Sequence, residues 1–184
     1  MTEKRIILSK ELLEITLRRL SQQLIENHGD FENVVFIGLQ PRGVFFAERL
    51  KQVLFEITSK NILLGKLDIT FFRDDFRRRD APIRANKTDV PFLIEGKDVV
   101  IVDDVLFTGR SIRAALDAMA AFGRPASVEL MVLIDRLYTR ELPIEPNYVG
   151  KQINSMVSQK VIVEWKGVEQ KEEDNICLIN QEGI

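Results

Sequence analysis

Two stretches of this chain are apolar almost without a break, VVFIGL at 34–39 and VVIV at 99–102, and each leads into a segment whose apolar residues recur at helical spacing. A strand is apolar at every position only when both faces are covered, and a strand feeding a helix is half of a β-α-β unit. The first such helix reads through Phe46, Leu50, Val53 and Ile57; the second runs from Thr108 to a stop at Gly123. SVELMVLID (127–135) and KVIVEW (160–165) read as further strands, and LLGKLDITFFR (63–73) alternates Leu67, Ile69 and Phe71 against Asp68 and Thr70. Leu13, Leu17, Leu20 and Leu24 place an amphipathic helix from Ser9 to about Asn27, capped by Ser9 and ended by Gly29 and Asp30. The pattern predicts an α/β fold, a mostly parallel twisted sheet flanked by helices on both faces, with ligands beyond the carboxyl ends of its strands. With 184 residues, 45% of them hydrophobic, one full core and a single domain over 1–184 are expected.

One segment fits no element. RDDFRRRDAPIRANKTDVPFLIE (73–95) has no sustained period, two prolines and six basic residues, Arg73, Arg77, Arg78, Arg79, Arg84 and Lys87, partly balanced by Asp74, Asp75, Asp80 and Asp89. Long structureless loops inside compact domains are lids, binding loops or disordered segments. A flexible loop that orders over substrate is the expectation, and a solvated hairpin tip is the plainer alternative.

Several chemistries are excluded early. Cys177 is the only cysteine, so no intrachain disulfide can form, and His28 alone cannot supply a histidine metal cluster; it reads as a surface residue at a helix end. No apolar run approaches the roughly 20 residues that span a bilayer, and the first residues lack the pattern of a signal peptide, so no membrane association and a cytoplasmic location are expected. The formal charge of −2 means that any nucleic-acid binding must come from a local patch.

The chemistry concentrates in VIVDDVLFTGRS (100–111). Asp103 and Asp104 close the apolar strand, and two adjacent carboxylates repel unless hydroxyls or a cation lie between them; a sugar diol and a magnesium ion would satisfy both. Thr108, Gly109, Arg110 and Ser111 sit where a helix begins, and its unpaired N–H groups and positive dipole end make a cradle for phosphate. Thr108 or Ser111 as a simple helix cap is the plain alternative. Neither G-x-x-x-x-G-K-[ST] nor G-x-G-x-x-G occurs, which removes the Walker and dinucleotide motifs. Arg42 and Gly43, at the turn from VVFIGL into its helix, add an exposed cation and backbone donors.

These residues resemble the phosphoribosyl diphosphate signature of the type I phosphoribosyltransferases. With IGLQPRG (37–43), DITFFRDD (68–75), GRPASVELMVLIDR (123–136) and RELPIEPNYVGKQI (140–153), the chain is similar over nearly its whole length to the family of bifunctional pyrimidine operon regulators and uracil phosphoribosyltransferases. The resemblance implies Mg²⁺-dependent transfer of phosphoribosyl from phosphoribosyl diphosphate to uracil, giving UMP and pyrophosphate, with uridine nucleotides as further ligands. It implies that Asp103 and Asp104 hold the ribose hydroxyls and the metal. Phe107 to Ser111 would bind the 5-phosphate, while Gln40, Pro41, Arg42 and Gly43 cradle the pyrophosphate, with Arg42 and the loop arginines steadying it as it leaves. A small hood is expected from the region after 135, with Asp135, Arg136 and the backbone at Val163 near the base. The family also implies assembly with copies of itself and a basic surface for a messenger RNA leader, carried over to Arg18, Arg19, Arg140 and Lys151. Gln22 and Glu145 depart from the family there, standing where it can place a histidine and an arginine. Two other readings stay open: an RNA-binding transcription attenuator that uses the nucleotide site as a sensor, and a phosphoribosyltransferase for another base.

Overall fold

The computed structural model describes residues 4–74, 85–156, 158–168 and 170–180. Its elements in chain order are β1 (Lys4–Leu8), α1 (Lys10–His28), β2 (Val34–Leu39), α2 (Arg42–Thr58), β3 (Leu63–Leu67), β4 (Asp98–Leu106), α3 (Arg110–Met119), β5 (Ser127–Leu137), β6 (Tyr148–Asn154), β7 (Gln159–Glu164) and β8 (Asn175–Asn180). Five strands make one sheet in the order β3-β2-β4-β5-β6, parallel throughout. The remaining three form a small antiparallel sheet, β1-β8-β7.

The unbroken apolar runs are explained by two cores. Val34 and Phe36 of β2, with Val100 and Val102 of β4, pack under α1 and α2; Val35, Ile37, Val99 and Ile101 pack under α3 on the opposite face. Successive side chains of a strand point to opposite faces, so each strand feeds both cores. The chain leaves β2 through α2 on one face and β4 through α3 on the other. These neighbouring strands therefore diverge at their carboxyl ends, the switch point where open α/β sheets bind ligands.

α1 begins as its sequence predicts, with Ser9 Oγ accepting the Leu12 N–H at 3.5 Å, and ends at Gly29, whose φ of 62° favours glycine. His28 is tied in rather than solvated. Its Nε2 lies 2.8 Å from the Glu129 carboxylate, which also accepts from the Tyr148 hydroxyl at 2.8 Å. Burial foremost pushes that phenol up to about 12. In α2 the buried stripe runs through Phe46, Leu50 and Leu54, leaving Ile57 exposed.

Three expectations need correction. The alternation Leu67–Phe71 does not continue as a strand: β3 ends at Leu67, a short 3₁₀ turn spans Thr70–Phe72, and Phe71 is 66% exposed. The cause is Asp68, whose carboxylate accepts the Thr70 N–H at 2.7 Å and the Asn86 N–H at 2.6 Å and so bends the chain. The segment 73–95 is not loose to its end. Asp89 and Lys66 exchange both backbone hydrogen bonds, at 2.7 and 2.8 Å, and Ile94 is fully buried. The small sheet does not come from the region after 135 alone, because β1 supplies one of its edges while β6 joins the main sheet.

Asp68 gives a pH test. Although its burial opposes ionisation, the hydrogen bonds from Thr70 and Asn86 hold its carboxyl below the ordinary carboxylate range. A depressed folded-state value contributes stability that is fully present above the unfolded value of about 4 and is lost as pH falls through the folded one. Asp68→Asn is expected to lower stability by about 2 kcal/mol at neutral pH, the worth of a hydrogen bond to a charged group. Thermal unfolding across pH should show the gap from the parent closing in acid; a gap constant with pH would refute it.

Candidate active site

β4 runs four residues farther than its apolar run suggests, to Leu106, so Asp103 and Asp104 lie within the strand. Its pairing with β2 stops at Gly38–Val102, whereas its pairing with β5 continues to Leu106–Asp135. The two carboxylates therefore occupy the stretch of β4 that β2 has left. Gly43, in the first turn of α2, fills the gap: a Cβ there would stand 2.5 Å from Val102 O and 3.0 Å from Asp103 Cα. That contact brings Arg42 beside the acidic pair.

Both carboxylates are partly buried. Burial, reinforced by the adjacent Asp104 charge, pushes Asp103 well above the usual carboxylate range. Burial raises Asp104 as well, against the pull of the Arg42 guanidinium. Asp103 Oδ1 accepts the Asp104 N–H at 3.0 Å. Such a pair favours any cation or hydroxyl donor that enters beside it. Among the described residues no three His, Cys, Asp or Glu side chains gather as a metal site. One or two carboxylates, completed by substrate phosphates and water, are nevertheless a normal setting for Mg²⁺, so this donor set fits that ion.

A cavity of about 150 Å³ lies beside the pair, lined by Asp103, Phe107, Thr108, Gly109, Ser111 and Arg73, among others. α3 starts at Arg110 with Gly109 in the cap position at φ 89°, and the Arg110 N–H donates to Thr108 Oγ1 at 3.4 Å. Thr108 thus keeps part of its plainer role at the helix start, Ser111 lies inside the first turn, and the remaining early N–H groups of α3 can receive a ligand. Arg73, from the edge of the basic segment, donates to Ser111 Oγ at 3.3 Å. Arg77, Arg78, Arg79 and Arg84 lie outside the described residues.

Other expected site residues are placed differently. Arg110 is held by Glu141 at 2.6 Å and by Asp74, across the rim of the cradle. Gln40 donates its N–H to Leu67 O at 2.9 Å and its side-chain amide to Lys87 O at 2.9 Å, joining the Gln40-Pro41 turn to the segment beyond Asn86. Arg42 also donates to Val163 O. Asp135 is buried against Arg140 and Gln152. Arg136, likewise buried, donates to Ser155 Oγ at 2.8 Å and Met156 O at 2.9 Å, with its guanidinium 4.0 Å over the Phe107 ring. Both side chains thus brace the loop around Phe107.

Of the four residues expected on a basic face, Arg18, Arg19 and Lys151 are exposed and Arg140 is half-buried. Arg140 turns inward to Phe107 O and Asp135 because these two acceptors sit beneath it. Arg18 is exposed near Glu56 at 3.8 Å, while Arg19 donates to Val149 O and Gly150 O at 2.9 and 2.6 Å. Lys151 is exposed and reaches Ile7 O at 3.1 Å.

Sequence reasoning missed Thr139 and Glu141, which also fasten the Phe107–Arg110 turn. Their signal lay in the strand-ending stretch after Leu137, where only the fold shows what the chain returns to.

The Phosphoribosyl transferase domain family matches residues 5–170. The chain is 45% identical over 163 residues, 89% of each chain, to the Bifunctional protein PyrR of Chloroflexus aurantiacus. It is 38% identical over 178 residues to the Bifunctional protein PyrR of Bacillus cereus, covering 96% of this chain and 98% of that one. In fold it is similar to the hypoxanthine phosphoribosyltransferase of Trypanosoma cruzi in complex with the product IMP. The TM-score is 0.76 at 18% identity, over 100% of this chain and 97% of that one. A hypoxanthine-guanine phosphoribosyltransferase of Bacillus anthracis gives 0.71 at 17% identity, over 97% and 99%. Among the described residues no helix is long and apolar enough to cross a membrane.

Proposed function

The chain belongs to the phosphoribosyl transferase family, with bifunctional PyrR proteins as its relatives, and from that premise we propose that it transfers the phosphoribosyl group of phosphoribosyl diphosphate to N1 of uracil, releasing UMP and pyrophosphate. The observation that carries this reading is the meeting of three groups at the β2/β4 divergence: the Asp103–Asp104 pair, Arg42 from the facing turn, and the start of α3. The 5-phosphate sits on the N–H groups from Thr108 to Ser111, and the ribose hydroxyls face Asp103 and Asp104. Asp103 and Asp104 would hold Mg²⁺, which when bound would supply charge neutralisation for the leaving group. Arg42 and Arg73 bring positive charge toward the departing pyrophosphate. Displacement at a ribosyl centre that becomes positive is governed by placement and electrostatics, so the chain needs no nucleophile of its own. Incubation with phosphoribosyl diphosphate, Mg²⁺ and a panel of bases tests it. UMP as the main product is expected, and a purine nucleotide or orotidylate in its place would move the reading to another base.

RNA regulation is the second reading, favoured by the relatives' bifunctional naming. On this chain the surface keeps Arg18, Arg19 and Lys151, but Arg140 is turned in and the exposed position 145 is a glutamate. Phosphate-driven affinity falls with each lost cationic contact, so binding of a pyrimidine-operon leader RNA should be weak and steeply salt-dependent. Titration with and without uridine nucleotides checks this, and Glu145→Arg should tighten it. Tight, nucleotide-stimulated binding by the parent would make regulation the primary role. We also place the protein in the cytoplasm, assembled with copies of itself.

A further inference from the structure

The strap from Thr139 to Ile144, which follows β5, lies against the back of the phosphate cradle. Arg140 donates to Phe107 O, while the Thr139 hydroxyl, 3.4 Å from that carbonyl, has its nearer acceptor in Arg136 O at 3.0 Å. The next carbonyl, Thr108 O, accepts the Glu141 N–H at 3.0 Å and the Leu142 N–H at 3.2 Å. Ile144 and Leu142 close over Gly109, whose Cβ position stands 3.1 Å from Ile144. Three donors from one strap, the Arg140 guanidinium and the Glu141 and Leu142 N–H groups, thus hold two consecutive carbonyls.

A trans peptide is planar, and its C=O and N–H point in opposite directions. Fixing Phe107 O and Thr108 O toward the strap therefore aims the N–H groups of Thr108 and Gly109 away from it. The cavity lined by these residues lies on that side, since no strap residue lines it. Arg140 is the anchor of this arrangement, because its guanidinium holds Phe107 O while ion-paired to the buried Asp135. A planar guanidinium can serve two acceptors at once, which one lysine ammonium on a flexible stem does less rigidly.

We propose that Arg140 is a positioning residue for the phosphate cradle, setting the direction of the Thr108 and Gly109 donors, rather than a contact for a polyanion at the surface. This rests on the reading of Thr108–Ser111 as the 5-phosphate site. Arg140 touches no substrate atom in that arrangement; it acts through Phe107.

The test compares the parent with Arg140→Gln and Arg140→Lys, without RNA. Steady-state kinetics read KM for phosphoribosyl diphosphate against kcat, and calorimetry reads affinity for ribose 5-phosphate. Arg140→Gln is expected to raise that KM and weaken ribose 5-phosphate roughly tenfold or more, with a smaller change in kcat, since misplaced donors cost binding wherever the phosphate is held. Arg140→Lys, which keeps a cation beside Asp135, should remain folded and lie between the two. Parent-like KM and ribose 5-phosphate affinity in the folded Lys and Gln variants would overturn the proposal. So would a loss equal in kcat and KM that follows thermal stability alone. If the parent binds ribose 5-phosphate but turns over no base, the transferase reading fails while the affinity comparison still decides the role of Arg140.

Discussion

Asp104→Asn and Asp103→Asn should each lower turnover by about 2–4 kcal/mol, the scale of loss when a group that stabilises developing charge is removed. The two carboxylates do not do the same work. The Arg42 guanidinium acts on Asp104, so the loss of that carboxylate also removes a counter-charge beside the cation. Asp103 faces the first turn of α2 and the cavity, and its Oδ1 steadies the backbone at Asp104. Asparagine can keep that last hydrogen bond through its amide oxygen, so the fold should survive both changes. Single-turnover rates with saturating phosphoribosyl diphosphate, uracil and Mg²⁺, alongside circular dichroism, check this. Parent-like rates in folded variants would remove this pair from the catalytic centre.

Gly43→Ala should be the most damaging single methyl group that can be added at the site. The new carbon would meet Val102 O at 2.5 Å and Asp103 Cα at 3.0 Å, and both are backbone atoms that cannot swing aside. Relief requires α2 to move off β4, at a cost of about 1–3 kcal/mol in stability. The same movement carries Arg42 away from Asp104, and a displacement of about 1 Å in such a site can cost on the order of 100-fold in rate. A thermal scan and kcat/KM should fall together. A variant that loses stability but keeps its rate would show that the contact serves packing alone.

What the residues disclosed before any coordinates follows the range over which each signal acts. Ser9 and the leucine ladder to Leu24 are local, and α1 begins and ends where they place it. The continuous apolar runs of β2 and β4 report burial on two faces, which is enough to choose a parallel sheet with helices on both sides. Asp68 defeated the same logic, because the amide it binds at Asn86 is distant in sequence and alternation alone cannot register a bend. β6 and β8 mix polar and apolar residues in short runs, and pairing with β5 and β7 makes them strands. In the candidate site, the placement of Asp103, Asp104, Gly43 and the start of α3 is legible because it follows from backbone geometry near them. Arg140 was not. Whether a long cation faces solvent or reaches inward depends on which acceptors the fold puts under it, here Phe107 O and Asp135.

The pairing of Lys4 with Ile179 in the small sheet bears on the order in which the molecule is completed during synthesis. The strands of the parallel sheet from β2 to β6 leave the ribosome before β8 exists, so β1 waits with an unpaired edge until the last strand arrives. Contacts between parts so distant in the chain form late because closing long loops costs entropy before it is rewarded. Val163, whose carbonyl receives Arg42, lies on β7 and is secured by β8 through its register with Ile176. The Val163 carbonyl that receives Arg42 is therefore secured only when β8 has joined β7 and β1, and a nascent protein halted before β8 would carry the acidic pair and the start of α3 without that support.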